Sequence, residues 1–380
     1  MRIAAVVPHA AAGGRSAERR LVNGALALGA AGVSVDIFSD RAAPGAPRRL
    51  GAGVAIRRLA PHRVQRDLIA RHEAYDVIHA FGLPAMRMIA APGTAPRRVF
   101  SPYGDRWSQP APVHAMHRAW PRAAAMLVGA VDTIVCGSDR EAARVRRDAP
   151  ELADRVRVVR PGVDAEALAR AEPLPINRAV VLAVGPLIRS PRLVRVVGAL
   201  ASLDERFILV VLGDGPARRR LRGVVADLGL ADRVRFLGDV TLEQRRRWMR
   251  TASVLLPITE YEDVEMLALE AAAIGKPLII PDSADHAGGW EYHSGGVVRV
   301  ISGPSSPLAI ADAIRETAVL HGPSESRTGV RSWAAYAHEM LSVYRLTIHG
   351  LREIEAPPDE EPHGEPAVGS TPVERQGRVL

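Results

Sequence analysis

The sequence predicts an α/β protein made of two doubly wound, Rossmann-like domains facing a central cleft. Three observations predict it. Short β-branched runs alternate with helical stretches, which implies parallel sheets covered by helices on both faces. A break at residues 171–177, with Pro173 and Pro175 beside Glu172, splits that series into two halves. The chain has 380 residues, 47% of them apolar, enough to bury two cores.

In the first half, the runs at residues 3–7, 33–38, 77–80, 99–101, 133–136 and 156–159 read as buried strands, with helices at 17–31 and 140–147. In the second half, strands fall at 180–184, 208–212, 234–237, 254–257, 278–281 and 297–300, with helices at 217–228, 242–251 and 266–274. The domains are therefore expected at residues 1–172 and 178–331, with a closing helix around 332–346. Two such domains place a site in the cleft outside the carboxyl ends of their strands. From residue 353 to 380 the chain is rich in Pro, Glu and Gly without apolar periodicity, and reads as a disordered acidic tail. The apolar start of the chain ends at Pro8, shorter than the ~7–15 residues of a signal-peptide core, so it reads as the first strand. The uncharged run at 21–35 falls short of the ~20 residues of a membrane span and holds three glycines.

The single cysteine, Cys136, excludes an intrachain disulfide and suits a reducing, cytoplasmic compartment. It ends a strand without a catalytic partner in sequence and reads as core. The formal charge is +8; seven acids against two bases from Glu353 onward leave −5 in the tail, so the body carries +13. A basic body suits nucleotide diphosphates or an anionic membrane face. Lys276 is the only lysine, so most of the arginine excess reads as coding bias and a minority as a patch for peripheral contact with the inner membrane face. Nucleic acid is not expected: aromatic residues are 4% of the chain, and no basic stretch interleaves stacking residues.

Several stretches carry chemistry. Glu262 and Glu270 stand eight apart, across the loop and helix between the strands at 254–257 and 278–281. Alone, such a pair is common by chance. Leu212-Gly213-Asp214-Gly215-Pro216 precedes a basic helix and then the run from Leu228 to Val240. This turn does not fit a dinucleotide loop, because Arg218 holds the place of the third glycine. Its glycines read as tight-turn residues. Gly13-Gly14 follows the first strand and enters a helix, where backbone N–H groups can meet a diphosphate. Tyr75-Asp76-Val77-Ile78-His79, Val158-Val159-Arg160-Pro161-Gly162-Val163-Asp164 and Ser332-Trp333 are architectural signals, and His79 suits a satisfied structural histidine.

Together these stretches resemble the retaining glycosyltransferases of family 4, glycosyl transferase group 1, with the GT-B fold. The resemblance covers roughly residues 1–346 and is strongest at 180–281. It implies an acceptor-side first domain, a nucleotide-sugar donor domain, and a last helix at 332–350 that crosses back. It also implies that Glu262 contacts donor-sugar hydroxyls and Glu270 the nucleotide ribose, jobs that suit a carboxylate acceptor. Gly13, Gly14, Val240, Met266 and Leu267 join Glu270 in the donor-binding set, with the turn at Asp239-Val240 beside the base. The donor is then an NDP-sugar, the acceptor is unspecified, and no metal or other cofactor is expected. The cluster Asp282, Asp285, His286, Glu291 and His293 has metal-binding residue types, but its spacing matches no metal site.

The chain departs from this family at three places. The arginine and lysine that neutralise the donor diphosphate are replaced by Pro186 and Pro191, which leaves Arg189 and Arg192 as the candidate replacements. Asp263 and Glu265 stand where glycines are frequent, adding charge that would repel a diphosphate unless turned away. Tyr103 stands where a histidine is common near the acceptor, and it is a poor base at neutral pH. Two functions follow. One is hexosyl transfer from an NDP-sugar with retention, by positioning and electrostatics. The other is a catalytically degenerate GT-B protein that serves as a partner or regulatory subunit.

Overall fold

Apolar β-branched runs form the strands, and the computed structural model describes residues 1–9, 16–41, 49–59, 61–82, 85–86, 97–102, 129–187, 191–258, 263–281, 298–301, 305–320 and 330–349. The first half supplies β1 (Arg2–His9), β2 (Ser34–Arg41), β3 (Arg49–Gly51), β4 (Val54–Arg58), β5 (Val77–Phe81), β6 (Arg98–Ser101), β7 (Thr133–Cys136) and β8 (Val156–Val158). They order β3-β4-β2-β1-β5-β6-β7-β8. Every pair is parallel except β3–β4. The second half supplies β9 (Ala179–Val184), β10 (Phe207–Leu212), β11 (Val234–Gly238), β12 (Val254–Pro257), β13 (Leu278–Pro281) and β14 (Val298–Ile301). They form an all-parallel sheet ordered β11-β10-β9-β12-β13-β14. Both are doubly wound sheets, as the alternation predicts.

Each order reverses once, between β1 and β5 in the first sheet and between β9 and β12 in the second. Crevices form outside the carboxyl ends of strands at such reversals, so the topology points the ends of β1, β9 and β12 at the ligand side. Helices cover both faces of each sheet. On the first sheet, α1 (Ser16–Ala30) lies on one face, and α2 (Pro61–Ala70) and α3 (Asp139–Asp148) lie on the other. A short helix, α4 (Ala165–Arg170), leads to the break. On the second sheet, α5 (Pro191–Ala201), α6 (Arg218–Asp227) and α9 (Pro307–Leu320) share one face, and α7 (Leu242–Thr251) and α8 (Asp263–Ala273) share the other. The central strands β9, β10 and β12 are buried on both sides, and β10 is buried at every residue. The sequence pattern does not announce β3 and β4, a short Arg-bearing edge pair with little apolar signal.

The break at 171–177 is extended and strapped to the end of α7. The Leu174 N–H donates to the Thr251 hydroxyl at 2.7 Å, and Arg247 Nε donates to the Glu172 carbonyl at 3.2 Å.

The last helix, α10 (Trp333–His349), returns to the first domain. It lies against α1, and Tyr336, Met340 and Tyr344 join the core layer of Ile3, Leu21 and Val35. Two buried polar pairs fix its rotation. His79 Nδ1 meets the Tyr344 hydroxyl at 2.8 Å, and Thr133 Oγ1 meets Thr347 Oγ1 at 2.8 Å. His79 Nε2 meets the Ser101 hydroxyl at 2.8 Å, so both ring nitrogens are satisfied. Burial pushes His79 down to about 3, which keeps the ring neutral. The crossing itself is backbone on backbone: the Val163 N–H donates to the Arg331 carbonyl at 2.9 Å, and Val163 bridges to Ser332.

Two outcomes follow. A Cβ on Gly162 would lie 2.4 Å from backbone atoms of Ser332 and Trp333. Gly162→Ala is therefore expected to lower stability by about 1–3 kcal/mol, measured by urea unfolding. Folded His79 stays neutral while the unfolded chain takes up a proton below about pH 6.5, so His79 makes stability fall as pH drops toward 3. That slope approaches about 1.4 kcal/mol per pH unit, and His79→Asn is expected to lack it. The gap in urea midpoint between wild type and variant should then narrow as pH falls below about 6.5.

Candidate functional site

In a βαβ unit the connecting helix starts at the carboxyl edge of the sheet, so α5, α7 and α8 all begin on the ligand side. Arg192 is the second residue of α5 and is 2% exposed, so its guanidinium is enclosed rather than spread in solvent. On the other face of the same sheet, Met266 and Leu267 turn their side chains into the core layer, and half-buried Val240 packs against it. All three belong to the core cluster on that face. Gly13, Gly14, Arg189 and Glu262 lie outside the described residues, as do Tyr103 and the cluster from Asp282 to His293. The expected tail at 353–380 also lies outside them. Among the described residues no group of three His, Cys, Asp or Glu side chains could hold a metal ion.

Glu270 is buried and ion-paired. Arg245 Nη1 donates to Oε1 at 2.7 Å, and Nη2 donates to Oε2 at 2.6 Å. The two side chains are 6% and 9% exposed, so this is a two-point bond shielded from water. The sequence of α7 explains how Arg245 arrives there. Thr241 caps the helix: its hydroxyl accepts from the Gln244 N–H at 3.2 Å, and its own N–H donates to Gln244 Oε1 at 3.0 Å. That box sets the first turn, which carries Arg245 on the buried side with Met249 one turn on. Arg245 Nη1 also touches Met249 Sδ at 3.0 Å. The neighbouring helix α4 lies against both α7 and α8, and Arg246 reaches Asp164 just before it at 2.7 Å.

The glycine turn after β10 is structural. Gly213 has φ 128, and a Cβ there would lie 2.0 Å from the Gly185 carbonyl. The Leu187 N–H donates to the Asp214 carbonyl at 3.0 Å, so the turns after β9 and β10 pack backbone to backbone. Asp214 is held below the usual carboxylate range, first by the Gly215 N–H at 2.7 Å and then by Arg218. Arg218 also donates to the Phe236 carbonyl at 3.3 Å. It is a strut between turn and strand in the place where a dinucleotide loop needs glycine.

Comparison with known proteins decides the family. Residues 178–318 match the glycosyl transferases group 1, and residues 17–167 match Glycosyltransferase Family 4. The chain belongs to the family 4, group 1 glycosyltransferases. It is 34% identical over 216 residues to a D-inositol 3-phosphate glycosyltransferase of Streptomyces scabiei, covering 46% of this chain and 48% of that protein. The chain thus spans about half the length of the curated relatives it matches first. Its fold is like that of the sucrose-phosphate synthase of Thermosynechococcus elongatus, with TM-score 0.72 and 21% identity over 91% of this chain and 98% of the other. Anabaena HepE, solved in complex with UDP-glucose, has TM-score 0.65 and 16% identity over 91% of this chain and 98% of its own. These likenesses give the GT-B architecture of two Rossmann-like domains.

Within this family, the prolines have a local physical reading. Pro191 is the first residue of α5, where a fixed φ and a missing N–H cost a helix nothing. Pro186 sits between Gly185 and Leu187, whose N–H groups bind the carbonyls of Leu212 and Asp214. Arg245 is the residue that sequence reasoning missed. The available signal is its spacing, i and i+4 with Met249, which puts a charge on the apolar face of α7 and demands a buried partner. Arg245→Met should cost about 3–5 kcal/mol by leaving Glu270 buried and unpaired, whereas Arg245→Met with Glu270→Met should recover most of it. Chemical denaturation of the two variants checks this.

Proposed function

We propose that this chain is a retaining glycosyltransferase that moves a hexosyl group from an NDP-sugar to a glycan, lipid or small-molecule acceptor. The observation that supports this most is the buried carboxylate of Glu270 in α8, which Arg245 holds by two hydrogen bonds. Glu270 accepts from the ribose hydroxyls, and Glu262 orients the sugar. Arg189 and Arg192 neutralise the departing diphosphate, and Gly13 and Gly14 offer backbone N–H groups across the cleft. Val240, Met266 and Leu267 wall the nucleotide. Catalysis then comes from positioning and from charge stabilisation of the leaving group, with no metal in the reading. The solved HepE holds UDP-glucose, which supports a nucleotide-sugar donor here. The relatives named for D-inositol 3-phosphate make a polyol phosphate the first acceptor to try. The protein works in the cytoplasm, with peripheral contact to an anionic inner membrane face. The basic body supports that contact, and among the described residues no helix is long and apolar enough to cross a membrane.

Calorimetry with UDP, GDP and ADP tests the donor site. One nucleotide is expected to bind tightly and to weaken at least about tenfold in Glu270→Ala, the loss of hydrogen bonds to a charged group. Its sugar conjugates are then assayed for transfer. Binding without transfer to any acceptor would favour a degenerate GT-B partner subunit, the reading that Pro186 and Pro191 support. Absence of binding by all three nucleotides would remove the donor site.

A further inference from the structure

A buried ion pair is a poor way to stabilise a domain. An apolar pair of the same size fills the space at lower desolvation cost and is often the more stable choice. Arg245 stands on a helix face whose next buried residue is Met249, and it is enclosed against the layer that contains Leu267 and Ala271. Arg245 Nε has no hydrogen-bond partner among the described residues, so burial of the guanidinium is not fully compensated. The cost is borne at one place, the carboxylate of Glu270.

We infer that Arg245 is a positioning residue for nucleotide recognition, acting through Glu270; this rests on the reading of Glu270 as the ribose contact. A glutamate side chain is flexible, and ordering it on ligand arrival would subtract from affinity. The two-point bond at 2.7 and 2.6 Å fixes the plane of the carboxylate before the ligand comes. It also neutralises the buried charge. Each carboxylate oxygen has two lone-pair sites, and the guanidinium takes one on each. The lone pair left on each oxygen points outward, one at either edge of the carboxylate, so a ribose hydroxyl can reach an oxygen whose direction is already set. Arg245 is itself held from behind by the Thr241–Gln244 cap and by Met249, so the orientation passes from the helix cap to the carboxylate. A lysine cannot replace it, because an ammonium is a point charge without the planar fork.

The test compares two ligands, the ribonucleoside diphosphate that binds most tightly and its dideoxyribose analogue. Wild type, Arg245→Lys, Arg245→Met and Glu270→Ala are titrated by calorimetry, with far-UV circular dichroism and cooperative urea unfolding to establish the fold. Wild type is expected to prefer the ribose form by about tenfold or more, and Glu270→Ala to lose that preference. Folded Arg245→Lys and Arg245→Met are expected to lose most of the preference while binding the dideoxy analogue as wild type does. If Arg245→Met does not fold, Arg245→Lys decides. Arg245 variants that keep the wild-type preference, or that weaken both ligands equally, overturn the positioning role while Glu270→Ala still upholds the ribose contact. An unchanged preference in Glu270→Ala, or none in wild type, overturns the reading of Glu270 and the role of Arg245 with it.

Discussion

The two domains depend on one crossing in which backbone meets backbone. Gly162 stands against Ser332 and Trp333 at a distance that admits no side chain, Val163 bridges to Ser332, and Asp164 caps α4 by accepting from the Ala167 N–H at 3.1 Å. Asp164 also holds Arg246 of α7. Three successive residues therefore join the first domain, the returning chain and the helices α4 and α7. Trp333 follows at once and packs against core layers of both domains. Without this knot, α10 would have no fixed approach to α1, and the network of His79, Tyr344, Thr133 and Thr347 would lose one side.

The fold was legible because a parallel sheet writes itself plainly. Runs such as Phe207–Leu212, buried on both faces, cannot alternate polar and apolar residues, so they stand out as short apolar blocks between helices. The edge pair Arg49–Gly51 and Val54–Arg58 is exposed on one side and lacks that block, so it stayed hidden. The candidate site was legible only in part, for a related reason. Spacing and context single out Glu270, but a partner 25 residues away on another helix leaves no local pattern. Arg245 lies among Arg246, Arg247 and Arg250, and only its place on the buried face of α7 separates it from its half-buried neighbours.

Buried polar groups are used in different ways in the two domains. In the first, Asp36 accepts from the Tyr75 hydroxyl at 2.7 Å and from Arg2 at 3.0 Å, tying β2, β1 and the start of β5 together at the amino edge, away from the ligand side. Its carboxyl is held below the usual range: burial raises it, and Tyr75, Arg2 and Arg57 together lower it more. His79 is neutral and doubly bonded, a polar key that specifies how α10 seats. In both, the partners consume the bonding capacity, and architecture is the result. The pair in the second domain differs, since a carboxylate gripped by one fork keeps a free lone pair on each oxygen.

The prolines at 186 and 191 sharpen the question of where positive charge comes from. Departure of a nucleoside diphosphate needs charge stabilisation that is already in place, because a water-excluded site cannot reorganise cheaply. A proline at the first position of α5 holds that turn rigid and supplies no charge. Arg192, one residue on and enclosed at the same helix start, has the charge at the carboxyl edge of β9. Helix starts there add the positive end of the backbone dipole to whatever side chains supply. On the proposed reading, a planar guanidinium then takes the place of a flexible ammonium and favours two-point contacts with phosphate oxygens. Such contacts demand a fixed frame. A rigid turn at Pro191 and a capped, ion-paired helix at Arg245 are that kind of frame on either face of the second sheet.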